Sequence, residues 1–226
     1  MFNLSPRIKP GEKIIEQESG ITGGVLKIND AFDLSLVQLI NGNYELRLFM
    51  KLQFYFKDDG INRWLNNDKN TFITNWEKRV RSIWDGHTLK VLSNGRGINL
   101  KLDFEIQIDG IMFDHWEITV RKVPAGSTFR SFVRPSMKDV TLTENDNGIS
   151  VRKVRKVGGF QQITSAHEFG HMIGLDDEYG PLFGGAANTH ANDYNSVMNI
   201  GSKVRQRHTN ELSIWLNKTL NKHNIK

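Results

Sequence analysis

His167-Glu168-Phe169-Gly170-His171-Met172-Ile173-Gly174-Leu175-Asp176-Asp177 is the stretch from which the rest of the chain is read. On an α-helix, residues four apart lie about 40° apart around the axis and roughly 6 Å apart along it, so the imidazoles of His167 and His171 can reach one ion. Glu168 lies beside them, placed to take a proton from a water on the metal rather than to bind the metal, which is the mechanical sense of HExxH. A helix commonly ends on a residue in left-handed conformation. Gly adopts it without steric cost, so Gly174 lets the chain turn sharply and return a third ligand to the ion. A chance HExxH in 226 residues is expected at roughly the one-per-cent level, and requiring Gly174 and a ligand-type residue at 177 lowers that about a hundredfold.

The pattern resembles that of the metzincin zinc peptidases, HExxHxxGxxH, with Asp177 standing where the family carries its third His. The resemblance implies that Asp177 completes a zinc ligand set with His167 and His171, since zinc accepts a carboxylate oxygen at about 2.0–2.2 Å. Asp176 and Glu178 flank Asp177, and either replaces it if the turn is cut differently; His190 is a further competitor. Tyr194-Asn195-Ser196-Val197-Met198-Asn199 resembles the metzincin Met-turn, whose Met lies beneath the ligands; Met198 is its counterpart, against the alternative of a Met filling a core gap. Some metzincins place a Tyr two residues after that Met. Ile200 stands there in this chain, so Tyr179, Tyr194 and His208 are the candidate donors to a developing oxyanion.

The resemblance further implies an activity. Three protein ligands leave a position for water, which marks a catalytic rather than a closed structural zinc. The expectation is a zinc endopeptidase with Glu168 as general base, cleaving a protein or peptide bound in extended form along a sheet edge. One rival is a gluzincin-type hydrolase, whose third ligand is a Glu on a later helix, for which Glu211 is the candidate. The other is a non-catalytic binding protein that retains a metal, against which Glu168 argues, because a structural site has no use for a base beside its ligands.

Bulk properties narrow the class. Hydrophobic residues make up 38% and charged residues 24%, and no apolar run approaches the eighteen or so needed to span a bilayer, so no membrane span is expected. The absence of Cys excludes disulfides and thiol ligands. The start lacks the basic and apolar regions of a secretory signal. The expectation is a protein cytoplasmic as synthesised and exported, if at all, by a specialised route, as a bacterial effector or toxin is. Net charge is +5 and the pI near 9.4, but the basic residues are mostly scattered, so no specific nucleic acid partner is expected. The densest run, Val151-Arg152-Lys153-Val154-Arg155-Lys156-Val157, fits neither strand nor helix period well. It reads as a solvated face or edge strand, with a groove for an acidic substrate or partner as the alternative.

In chain order, residues 1–43 read as an irregular N-terminal extension with one or two short strands such as Val25-Leu26-Lys27-Ile28, and 44–226 as the catalytic domain. Alternation from Tyr44 to Phe56 predicts a half-buried strand. A helix follows, capped by Asn70 or Thr71 and ending near Trp84. Strands are expected at 88–93, 98–108 and 115–122, with Asp109-Gly110 as turn chemistry between the last two. The ligand helix is placed at 161–174, the Gly-rich loop 180–187 at the border of a cleft, and a last helix, capped by Thr209, at 209–222. The fold class is α+β and, by the resemblance, metzincin-like: a twisted mixed β-sheet with a backing helix, an active-site helix beneath, and a small C-terminal part holding the Met-turn and final helix.

Overall fold

The computed structural model describes residues 8–110, 114–124, 126–179 and 188–226; the Gly-rich loop 180–187 lies outside them. It is a mixed α+β fold built on a curled eight-stranded sheet. The central strand is β3 (Tyr44–Lys57). One edge of β3 pairs in parallel with β5 (Gly97–Ile108) from Glu45 to Phe54. The other edge is shared: β2 (Ile28–Gln38) pairs antiparallel with Tyr44–Phe49, and β6 (Trp116–Arg121) pairs parallel with Leu52–Lys57. Beyond β6 come β8 (Asp139–Thr143), parallel, and then β7 (Phe132–Arg134), antiparallel, which ends the sheet. On the far sides lie β1 (Lys13–Gly23) against β2 and β4 (Thr88–Val91) against β5.

The alternation of Leu46, Leu48, Met50, Leu52 and Phe54 places one row of β3 in the core. Its other face is covered too. Arg47, Phe49 and Gln53 are buried there, so β3 is buried on both faces rather than half-buried, as befits a strand with parallel neighbours. Helix α1 (Asn66–Trp84) backs the sheet, with Trp76 edge-on to Phe54 and 5.2 Å from the Phe104 ring centre. At its end the Trp84 indole N–H donates to the Ala166 carbonyl at 2.9 Å, which ties α1 to α2 (Thr164–Met172), the ligand helix.

Several elements differ from the reading of the sequence. Helix α1 begins at Asn66 instead of Asn70 or Thr71, because Asp68 accepts the Leu65 N–H and caps the earlier turn. The ligand helix begins at Thr164. Residues 158–163 are instead strand β10 (Gly158–Ile163), hairpinned with β9 (Ile149–Val154), and this pair forms a separate two-stranded sheet. The basic run, whose period suited neither class, is therefore an exposed strand and its turn. The expected irregular N-terminal segment is in fact two eleven-residue strands. Glycines and register shifts in β1 disguise it, while Ala31, Phe32, Leu34, Leu36 and Val37 of β2 enter the core. Leu26 and its neighbours, read as a strand, form the turn between the two.

That turn reaches the ligand helix. Gly174, at φ +91°, is packed so tightly that a Cβ there would overlap the Gly23 carbonyl, and its own carbonyl accepts the Leu26 N–H at 3.0 Å. On the other flank α3 (Asn210–Lys222) buries Leu212, Leu216 and Leu220, and its Trp215 indole donates to Glu18 of β1 at 2.6 Å. Among the described residues no helix is long and apolar enough to cross a membrane.

Gly86 supplies a control for Gly174, because it too has positive φ but open space where a Cβ would go. Gly86→Ala is expected to cost about 1 kcal/mol of backbone strain, and Gly174→Ala a further ~1–3 kcal/mol for the displaced turn. Equal losses for the two variants in chemical denaturation would contradict the interlock.

Candidate metal centre

Helix α2 presents His167 and His171 four residues apart, and the Gly174 turn brings Asp177 back over them. His167 Nε2 lies 3.2 Å from His171 Nε2 and 3.2 Å from Asp177 Oδ1, which is 3.3 Å from His171 Nε2. Four ligands at about 2.0–2.1 Å in a tetrahedron stand roughly 3.3 Å from one another, so this triangle has the dimensions of one tetrahedral face around a zinc-sized ion. Tautomer assignment supports the fit. His167 Nδ1 is 2.7 Å from the Val197 carbonyl and His171 Nδ1 is 2.8 Å from the Leu175 carbonyl. A carbonyl can only accept, so both Nδ1 atoms carry hydrogen and both Nε2 atoms are left as ligand atoms, the usual arrangement for a metal-binding His. Asp177 Oδ1 is buried and faces only the two Nε2 atoms.

A second cluster, Asp30, Asp33 and His115, also gathers three donor atoms, more loosely, with His115 Nε2 3.8 Å from Asp30 Oδ1 and 3.4 Å from Asp33 Oδ1. It sits where β3 passes from β2 to β6, and its chemistry is different. The Lys51 N–H donates to His115 Nδ1 at 2.9 Å, so the neutral ring carries its hydrogen on Nε2, which faces Asp33 Oδ1 at 3.4 Å. A metal at Nε2 would require the ring to lose both protons. This is a buried His–Asp pair rather than a ligand set.

The turn carrying Met198 holds the first cluster from below. Val197 orients His167 through its carbonyl, and Met198 accepts the Glu178 N–H at 2.8 Å. The Met198 side chain packs against the ligand helix where Gly170 leaves room, since a Cβ on Gly170 would overlap its sulfur. Glu178 itself is turned away from the ligands. It grips Arg207 through two bonds of 2.6 and 2.7 Å and accepts from His208 at 3.1 Å. Burial would raise its carboxyl, but Arg207 and His208 outweigh that and hold it well below the usual carboxylate range.

The remaining sequence candidates are dispersed. Tyr179 is in the cluster: its hydroxyl is 3.1 Å from His167 Nε2, and its ring stacks on that imidazole. Burial, reinforced by Asp177, pushes its phenol well above the ordinary range, so it remains an O–H donor. Tyr194 instead packs at a tilt against Phe160, and His208 is committed to Glu178. Asp176 is exposed and accepts the Asp177 N–H. His190 is exposed, as is Glu211 in the first turn of α3, and neither belongs to the converging group.

Glu168 is buried beside the ligands, 6% exposed, at the wall of a cleft of about 700 Å³ that also receives Leu26, Arg130, Phe132, Asp146 and Arg152. Burial raises its carboxyl above the usual range, while the two imidazoles pull it back. Three of the cleft residues were invisible as a set in the sequence. Arg130, Asp146 and Gln162 share no local motif, and only the basic run flagged Arg152. No protein-family model matches the chain, and no curated protein matches it.

Without a cation, three acceptors facing one another need a proton. Burial lowers the basicity of His171, but the Asp177 and Glu168 carboxylates beside it prevail and push its pKa up to about 9. A cation entering below that pH displaces the proton. Zinc added to metal-free protein at pH 7 should release about one proton per site, and affinity should fall about tenfold per pH unit below about 9. Calorimetry in buffers of different ionisation enthalpy reads this, and zinc uptake without proton release would contradict the site.

Proposed function

We propose that the chain is a zinc-dependent endopeptidase of metzincin-like design, hydrolysing peptide bonds of a polypeptide laid across the α2 cleft. The observation that carries this reading is the convergence of His167 Nε2, His171 Nε2 and Asp177 Oδ1 beside the buried Glu168 at the wall of an open cleft. Zinc suits two nitrogens and one carboxylate oxygen at this spacing, and when bound it supplies Lewis-acid polarisation of a carbonyl and activation of a water.

The chain's own groups account for the rest. Glu168, its basicity raised by burial, is suited to take a proton from the attacking water and hand it to the departing amine, which is general base then general acid work with no covalent intermediate. Tyr179, kept protonated, offers an O–H toward the oxygen that gains charge in the tetrahedral transition state. The carbonyls of Val197 and Leu175 fix the ring orientations, so little reorganisation is needed during reaction. Strand β7 ends the sheet at the cleft, and among the described residues its outer edge pairs with no strand. An extended substrate segment adding to that edge would have its backbone held across the ligands.

Two substitutions separate the roles. Glu168→Gln should retain about one equivalent of zinc yet lose about 10²–10⁴-fold in cleavage of an unfolded protein such as casein; a variant that still cleaves at full rate removes Glu168 from the base role. Tyr179→Phe should lower kcat by about a hundredfold with KM within about threefold, since the O–H acts on the transition state. A loss confined to KM would make Tyr179 a binding group only.

A further inference from the structure

Two guanidinium groups on the cleft wall lack a carboxylate partner among the described residues. Arg130 enters from the segment before β7. Arg152 enters from β9, where its Nε donates to the neutral Gln162 Oε1 at 3.0 Å. The arginines that brace the fold are arranged differently. Arg47, Arg81, Arg134, Arg205 and Arg207 each meet at least one carboxylate.

The hairpin bearing Arg152 extends the asymmetry. From Ile149 to Ile163 it carries Arg152, Lys153, Arg155 and Lys156 and no acidic residue, all four exposed and none in an ion pair among the described residues. The carboxylates on the cleft lining do not offset them locally. Glu168 and Asp177 would be balanced by a divalent cation. Asp146 is half-buried, accepts from Ser131 and the Thr143 N–H, and has its carboxyl raised by desolvation. Asp176 is the exposed exception. Like charges gathered at a concave surface focus potential into it, and a planar guanidinium takes a carboxylate through two parallel bonds.

We propose that the cleft selects extended polypeptide segments rich in Asp or Glu, with Arg130 and Arg152 receiving their side chains and the cationic hairpin steering them in. This rests on the peptidase reading and adds a substrate class to it. Both cations line the cleft that β7 borders, so charge selection and backbone alignment would act on the same segment.

The test uses zinc-loaded Glu168→Gln protein and three labelled unstructured peptides of one length, carrying interspersed Glu, Gln or Lys. By fluorescence anisotropy the Glu peptide should bind at least about tenfold tighter than the Gln peptide at ~0.1 M salt, an advantage that shrinks at about 0.5 M. Arg130→Gln and Arg152→Gln together should abolish it, whereas Arg130→Lys with Arg152→Lys should keep most of it. Equal binding of the Glu and Gln peptides, an advantage that survives the Gln pair, or a Lys pair as unselective as the Gln pair would overturn the proposal. The wild-type protein separates the two readings. If it cleaves all three peptides alike, acidic selection is lost and the peptidase stands; if it cleaves none while the variant binds by charge, the peptidase reading is lost and the acidic-segment site stands.

Discussion

Three acceptor atoms held about a ligand's width apart form the constraint on which the structure depends. Such atoms repel unless a cation or a proton lies between them, and the fold invests in keeping them together. Each imidazole is fixed by a carbonyl from a different part of the chain, Val197 for His167 and Leu175 for His171. The contrast with Asp30, Asp33 and His115 shows why residue type and proximity are insufficient. There the backbone donates to the ring instead of accepting from it, and one hydrogen bond decides which nitrogen is free.

Close backbone packing delivers that geometry. Gly170 admits Met198 beneath the helix, and Gly174 ends the helix where the β1–β2 turn presses on it. The same turn sends Leu26 into the cleft wall. Behind the ligands, Glu178 is locked by Arg207 and His208 while its N–H is held by Met198, so Asp177 and Tyr179, its neighbours on either side, are placed by a rigid strut. Desolvating Glu178 would be costly alone; the bidentate guanidinium makes it tolerable.

Much of this was legible in the sequence because its signals are local. The period of β3, the apolar stripes of α1 and α3, and the spacing of His167, His171 and Asp177 all lie within one element or one turn. What escaped is non-local. The pairing of β1 with β2 is broken by bulges that erase alternation, and β7 is only three residues long. Strand β10 runs directly into α2, so the helical reading was carried three residues too far upstream. Arg130 and Arg152 meet in one cleft only after the sheet and the hairpin are both in place. Tyr179 could not be told from Tyr194 by sequence, because what distinguishes them is that one ring stacks on His167 while the other packs at a tilt against Phe160.

Where a divalent ion resides, and what holds it, decides between catalysis and mere proximity of these side chains. X-ray absorption at the zinc edge, on protein loaded with one equivalent, measures this without reference to activity. It should show a first shell with two imidazole nitrogens and one carboxylate oxygen at about 2.0–2.1 Å, completed by a light atom from solvent, and the imidazole scattering should drop to one ring in His171→Ala. A shell without imidazole scattering, or one left unchanged by His171→Ala, would contradict it.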